Sequence, residues 1–347
     1  MSRLRSLLKW LLFAVVVGYV CYHGYRLWTQ SDVRQRPLSA AGIRWLFAGG
    51  AVYIVSWLPS VWFWRELMRA VGGQVIFRDA ARAYYCGHLG KYIPGKAMVL
   101  VIRAALVKDR GCPALLAAVT ASYETLVMMG TGVAFGAALA PLLFRDWIAV
   151  HFPHLHLSPA FQAVAALVVV TAVVAGSLPL VAKLLSWIAS KAVPDSSLAR
   201  EQRVAISPRM IAAGCVAFCV SWVAQGLSLG MIAHGAGDAP FNVADVPLWT
   251  GAMALSTSLG FAVLFAPGGL GVREGILLAV LNSQPGMNPQ AAVAVTVLSR
   301  IISFLAELAI SALLFWSIRR FPDAVQGNRA KNENSRVISG DEVRPDE

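Results

Sequence analysis

The feature that most constrains this chain is a series of apolar runs, each about 20 residues long and each bounded by Pro, Gly or charge. A helix of that length crosses a hydrocarbon core of about 30 Å. Runs meeting the criterion lie at about 10–28, 43–64, 113–143, 160–182, 209–234 and 290–318. They predict a polytopic membrane protein with six full spans. Composition agrees, because 57% of the 347 residues are hydrophobic and only 14% are charged. A soluble globule of this size would have too little polar surface to cover itself.

The net charge of +12 resides in the loops between apolar runs. Arg3, Arg5 and Lys9 precede the first span, a basic block from Arg65 to Arg110 follows the second, and Lys183, Lys191, Arg200 and Arg203 follow the fourth. By the positive-inside rule these loops are cytoplasmic, as are both termini. The loop 235–245 carries only Asp238 and Asp245 and belongs outside. Segment 29–42, with Arg34 and Arg36 against Asp32, runs against that pattern. No basic stripe with interleaved aromatics stands apart from the spans, so nucleic acid is not an expected partner. The basic start, Met1 to Lys9, leads into an apolar run without a small-residue cleavage site and is taken as an uncleaved signal anchor. Residues 1–320 form one membrane domain, and the polar tail 321–347 is expected to be disordered in the cytoplasm.

Two segments, 78–108 and 246–283, fit no simple crossing. In the second, the run from Val272 to Asn282 reaches only about 17 Å at 1.5 Å per residue. A re-entrant hairpin, turning at Ala266-Pro267-Gly268-Gly269-Leu270-Gly271, accounts for it. The first segment has a similar turn at Tyr92-Ile93-Pro94-Gly95-Lys96, and its leading arm carries Arg78, Asp79, Arg82, His88 and Lys91. Irregular backbone at membrane depth has to be buried in protein or line a wet cavity. In order, span, hairpin and span occur twice, as repeat A (43–143) and repeat B (209–318), with opposite orientation. The fold class is therefore all-α, with six spans and two re-entrant hairpins in an inverted repeat.

Inverted repeats with broken helices place half-helix N-termini near the bilayer midplane, where they favour anionic groups. An ionisable side chain at that depth costs about 2.5–3.5 kcal/mol on insertion scales, so each needs a partner or a purpose. The candidates for substrate binding are Gly95, Lys96, Arg103, Gly268, Gly269 and Arg273. Glu124, Glu274, Arg300 and Glu307 are the candidate counter-charges or coupling groups. Glu124 and Glu307 occupy equivalent spans, so paired bridges to the hairpin arginines are expected. Structural stapling is the alternative role for these pairs.

The string Gly90-Lys91-Tyr92-Ile93-Pro94-Gly95-Lys96, followed by Arg103, and the string Pro267-Gly268-Gly269-Leu270-Gly271-Val272-Arg273-Glu274 resemble the membrane domain of lysylphosphatidylglycerol synthase/flippase proteins and their stand-alone relatives. The likeness covers most of residues 5–320. It departs from the family's common pattern at Val101-Ile102, where Gly-Glu is usual, and at Thr125, where an Arg often follows the glutamate. The resemblance implies movement of an anionic, aminoacylated or glycosylated lipid head group across the inner membrane. It brings no synthase activity, because no aminoacyl-transfer domain follows residue 320.

A membrane enzyme, or a non-transporting partner of a lipid-modifying enzyme or glycosyltransferase, are the competing functions. The first would need a nucleophile, base or metal at recognisable spacing. His151, His154 and His156 are the best metal candidates, with Asp146 as their one neighbouring carboxylate. No cofactor or metal is assigned, and no P-loop is present. The five cysteines, including Cys21, lack a C-x-x-C pair and suit apolar packing.

Overall fold

A computed structural model describes residues 39–93, 97–151, 207–236, 241–263, 271–284 and 287–319, with Gly269 and a few positions between 158 and 168. The expected spans 10–28 and nearly all of 160–182 lie outside the described residues. So do Pro94, Gly95, Lys96, Pro267, Gly268 and the tail.

Among the described residues the regular structure is helical, without strands. We number the helices α1 (Ala40–Val55), α2 (Leu58–Ala70), α3 (Phe77–His88), α4 (Ala97–Val107), α5 (Ala114–Leu143), α6 (Arg145–His151), α7 (Pro208–Ala236), α8 (Val246–Ala262), α9 (Val272–Asn282) and α10 (Pro289–Arg319). Four rods are long and apolar enough to cross a membrane: α1 with α2 (31 residues), α5 (30), α7 (29) and the stretch Pro289–Ser317 of α10 (29). Their outer faces are those of lipid-facing helices. Phe47 on α1, Val216 and Val220 on α7, and Leu305, Leu313 and Trp316 on α10 are all exposed. On a soluble domain so many exposed apolar side chains would mark an interaction surface; on spans the bilayer covers them.

The expected span 43–64 is broken. Pro59 has no N–H to donate to Val55, and the helix interrupts at Ser56–Trp57 before restarting as α2. The break is satisfied locally. Ser56 Oγ donates to the Tyr53 carbonyl at 2.7 Å, and Tyr85 OH donates to the Ile54 carbonyl at 2.6 Å. The second donor comes from α3 and so fixes the break against a neighbouring element.

Small residues set how the rods pack. A Cβ added at Gly42 would lie 2.7 Å from the Gly235 carbonyl oxygen, and one at Gly235 would lie 2.8 Å from that of Gly42. The α1 and α7 backbones therefore touch, and Ser228 Oγ on α7 donates to the Gly49 carbonyl at 2.7 Å. Association of helices in lipid rests on such close packing, since the apolar tails compete equally for apolar side chains. Gly132 and Gly136 of α5 likewise receive Trp222 of α7 and Leu255 of α8, while Gly130 faces open space.

The short helices fill the spaces between rods. α3 packs on α4 and α10, α4 on α5, α8 on α5 and α7, and α9 on α8 and α10. One core cluster centres on Tyr53, Phe63, Trp64, Tyr84, Tyr123 and Trp222. A second joins Leu143, Leu229, Met253, Leu277 and Val295.

At Gly226 of α7 an added Cβ would meet the Thr250 backbone nitrogen of α8 at 2.5 Å. Backbone cannot give way as a side-chain tip can. Gly226→Val is expected to destabilise the bundle by about 1–3 kcal/mol, the usual cost of overpacking. A lowered melting temperature in detergent, set against an unchanged Gly130→Val control, checks this.

Candidate functional site: three buried charge centres

The first centre joins α3, α4 and α5. Arg103 Nη1 donates to Glu124 Oε2 at 2.8 Å, and Tyr84 OH donates to Glu124 Oε1 at 2.9 Å. Both charged side chains are almost fully enclosed, at 3% and 1% exposure. The guanidinium lies 3.7 Å from the Tyr84 ring centre and 5.4 Å from that of Trp64, so aromatic faces replace water around it. Gly87 makes room for the arginine stem, since a Cβ there would lie 2.5 Å from Arg103 Cγ. Thr125, at the position where an arginine is common, donates its hydroxyl to Glu124 Oε2 at 3.3 Å.

The second centre is built on Glu307 of α10. Tyr53 OH and Lys91 Nζ both donate to Oε1 at 2.5 Å, and Tyr92 OH donates to Oε2 at 3.1 Å. Three separate pieces of chain converge here: the last turn of α1, the short 3-10 turn Leu89–Tyr92 after α3, and the middle of α10. Gly90 lets that turn press onto α4, where an added Cβ would come 2.7 Å from the Val99 nitrogen.

The third centre lies between α8, α9 and α10. Glu274 Oε2 accepts the Gly271 N–H at 2.7 Å and so caps α9, while Oε1 lies 2.5 Å from Arg300 Nε. The capped N-terminus and the arginine thus share one carboxylate. Beside it, Arg273 Nη2 donates to Thr257 Oγ1 at 2.9 Å. Its stem rests against Gly260 and Gly269, the latter at φ +71°, a conformation that favours glycine. Ser256, Ser299 and Ser303 line a small cavity with Arg273, Glu274 and Arg300. Arg273 and Arg300 are within electrostatic reach of Lys91, and Arg273 of Tyr53 and Tyr92, so the second and third centres form one neighbourhood.

Arg103 thus meets Glu124, the glutamate of the following span. In the second half the partners differ from expectation. Glu307 takes Lys91 from the other half, and among the described residues Arg273 has no carboxylate within ion-pair distance, because Glu274 turns to Arg300. Gly269 and Arg273 come together at the third centre; Gly95, Lys96 and Gly268 fall outside the described residues. Sequence reasoning left out Tyr53, Tyr84 and Tyr92 as ligands of carboxylates, and it placed Lys91 on the leading arm of the first hairpin without pairing it to Glu307. The available signal was Lys91-Tyr92 immediately ahead of Pro94-Gly95, which sets both at the depth of the turn.

His88 sits between the first two centres, its ring 4.2 Å from Trp57 and 5.6 Å from Tyr84, with Nδ1 buried and without a hydrogen-bond partner among the described residues. Among the cysteines, Cys112 packs in the loop before α5, where burial pushes its thiol up to about 11. A thiol so disposed is a packing group, not a nucleophile.

Long apolar helices with enclosed ion pairs and a lipid-facing exterior define a polytopic helical membrane protein. Its family follows from the chain as a whole: residues 5–311 match the model for the lysylphosphatidylglycerol synthase TM region, and the chain belongs to that family. No curated protein matches it at a significant level.

Removing one member of a buried pair strands the other's charge, at a cost of about 3–5 kcal/mol. Arg103→Leu is therefore expected to lower the melting temperature sharply. The double variant Arg103→Leu, Glu124→Leu is expected to recover most of the loss, and thermal unfolding of the purified variants measures both.

Proposed function

We propose that this protein is a lipid transporter of the flippase type, moving an anionic, aminoacylated or glycosylated head group between leaflets. The observation that carries this is Arg273. It is a guanidinium inside the bundle with no carboxylate within ion-pair distance among the described residues, and it borders a cavity lined by Ser256, Ser299 and Ser303. Arginine presents a rigid fork of donors suited to a phosphate, and hydroxyls suit the rest of a polar head group. Buried ionisable groups within a span bundle mark substrate pathways more often than they serve stability.

The packing favours an inverted-repeat architecture. Exchange α1 and α2 with α7, α3 with α8, α4 with α9, and α5 with α10. Among these helices the packed pairs then map onto one another, α3–α10 onto α8–α5, α4–α5 onto α9–α10, α2–α3 onto α7–α8, and α1–α10 onto α7–α5, while the contacts of α7 with α1 and α2 map onto themselves. Gly87 against Arg103 corresponds to Gly260 against Arg273. The α3–α4 and α8–α9 pairs are then the re-entrant hairpins, with Arg103 and Arg273 on their returning arms. Arg65, Arg69 and Arg110 gather around the α2–α3 loop, where the Gln74 N–H donates to the Gly111 carbonyl at 2.8 Å, and we assign that end to the cytoplasm. The helical bundle itself then carries the transport machinery.

Purified protein in liposomes with a fluorescent phosphatidylglycerol analogue provides the test. Arg273→Ala is expected to slow leaflet exchange by about 10–100-fold, the worth of a charge-assisted hydrogen bond, with Arg273→Lys between it and wild type. Exchange by Arg273→Ala at the wild-type rate would refute the site. Formation of a lipid product by the chain alone would favour an enzyme instead.

A further inference from the structure

The inner face of α10 carries Arg300, Ser303, Glu307, Ser311 and Phe315 at spacings of three or four residues, which places them in one row. Arg300 meets Glu274 beside Arg273, and Glu307 meets Lys91. Farther along, Ser311 Oγ donates to the Tyr85 carbonyl at 2.9 Å, and the guanidinium of Arg82 lies 5.3 Å from the centre of the Phe315 ring. At 1.5 Å per residue, Phe315 is about 12 Å beyond Glu307, and Arg300 about 10 Å before it. Arg82 and Arg273 therefore flank the Lys91–Glu307 pair from opposite sides.

These two arginines share a property their neighbours lack. Arg103, Lys91 and Arg300 each hold a carboxylate, as does Arg110, which lies 3.6 Å from Asp79. Arg82 has none within ion-pair distance among the described residues. Its Nε is buried without a hydrogen-bond partner, and its guanidinium rests on an aromatic face. Buried donors are nearly always satisfied in native proteins, so one left open among the described residues asks for a further acceptor. A phosphate oxygen supplies it in the geometry the guanidinium prefers.

We propose that Arg82 is a second phosphate station for the transported head group, separated from the Arg273 station by Glu307 acting as a gate. The proposal rests on the transport function above. In the gate, one carboxylate occupies the donors of Lys91, Tyr53 and Tyr92. A phosphate has the same charge sign and the same acceptor chemistry, so it takes those donors only by displacing Glu307. The head group then steps from one arginine to the other past an occupied lysine, and the closed pair keeps the path sealed when no lipid is present.

Photolabelling of the full chain in nanodiscs tests this, with a phosphatidylglycerol analogue that bears its reactive group on the head group. Peptide mapping is expected to find adducts near Arg82 and Phe315 that disappear in Arg82→Ala, fall in Arg82→Lys, and persist in Arg273→Ala. Melting temperatures of the Arg82 variants are expected to stay at the wild-type value, which separates a lost ligand from a lost fold. Adducts near Arg82 that survive Arg82→Ala, or adducts near Arg273 alone, would overturn the second station while leaving transport standing. Labelling at Arg82 without any leaflet exchange would instead remove the transport function and the shared path with it. Displacement of the adducts by excess inorganic phosphate would assign the station to a free phosphate and overturn a head-group role.

Discussion

A carboxylate inside an apolar bundle must be given its hydrogen bonds by its neighbours, and Glu307 is where that requirement organises most of the molecule. It draws one donor from α1, two from the turn after α3, and holds them at the middle of α10. Transfer of an unpaired carboxylate to such surroundings is prohibitive, so these elements cannot drift apart without a large electrostatic loss. The break at Ser56–Trp57 follows from the same site. Tyr53 reaches Glu307 from the last turn before the break, and Tyr85 satisfies the carbonyl next to it. Backbone irregularity and side-chain charge are thus solved by one set of tyrosines.

Glycine and arginine act as a unit in this fold. A guanidinium inside the bundle needs room for its stem as well as partners for its head. At both Gly87 and Gly260 the room comes from a missing side chain on the preceding helix of the pair. The close contact packs the aliphatic carbons of the arginine in place of a methyl group and aims the head toward its ligands. The same economy joins α1 to α7 at Gly42 and Gly235, where backbone meets backbone. Helix packing in lipid and placement of charge in lipid therefore draw on the same small residues.

Length and apolarity made the long rods legible from sequence, because the bilayer's thickness imposes them independently of partners. The four described rods fall on the expected spans, though Pro59 cuts one in two. Its cost was visible, yet where the broken turn finds replacement donors depends on Tyr85, which is distant in sequence. The charged residues were legible as a set, since each ionisable group at depth stands out against hydrocarbon. Their pairing was not. Glu274 serves α9 as a cap and so faces Arg300, leaving its neighbour Arg273 to Thr257. Tyrosine ligands escaped because a tyrosine in an apolar run carries no mark that separates a packed ring from a donating hydroxyl.

The α3–α4 and α8–α9 pairs each set an arginine against a glycine, and the two arginines differ in their partners. Arg103 is closed on three sides by Glu124, Tyr84 and Trp64, with its charge neutralised within its own half. Arg273 occupies the corresponding place with a threonine hydroxyl for a partner and a serine-lined cavity at its side. A salt bridge as enclosed as the first holds α4 against α5, whereas a guanidinium met by a hydroxyl keeps donors that a carboxylate would fill. With Lys91 reaching Glu307, the turn after α3 is tied to α10 within electrostatic reach of Arg273. Arg103 and Arg273 thus sit in like positions against Gly87 and Gly260, one held by a carboxylate and the other by a threonine hydroxyl.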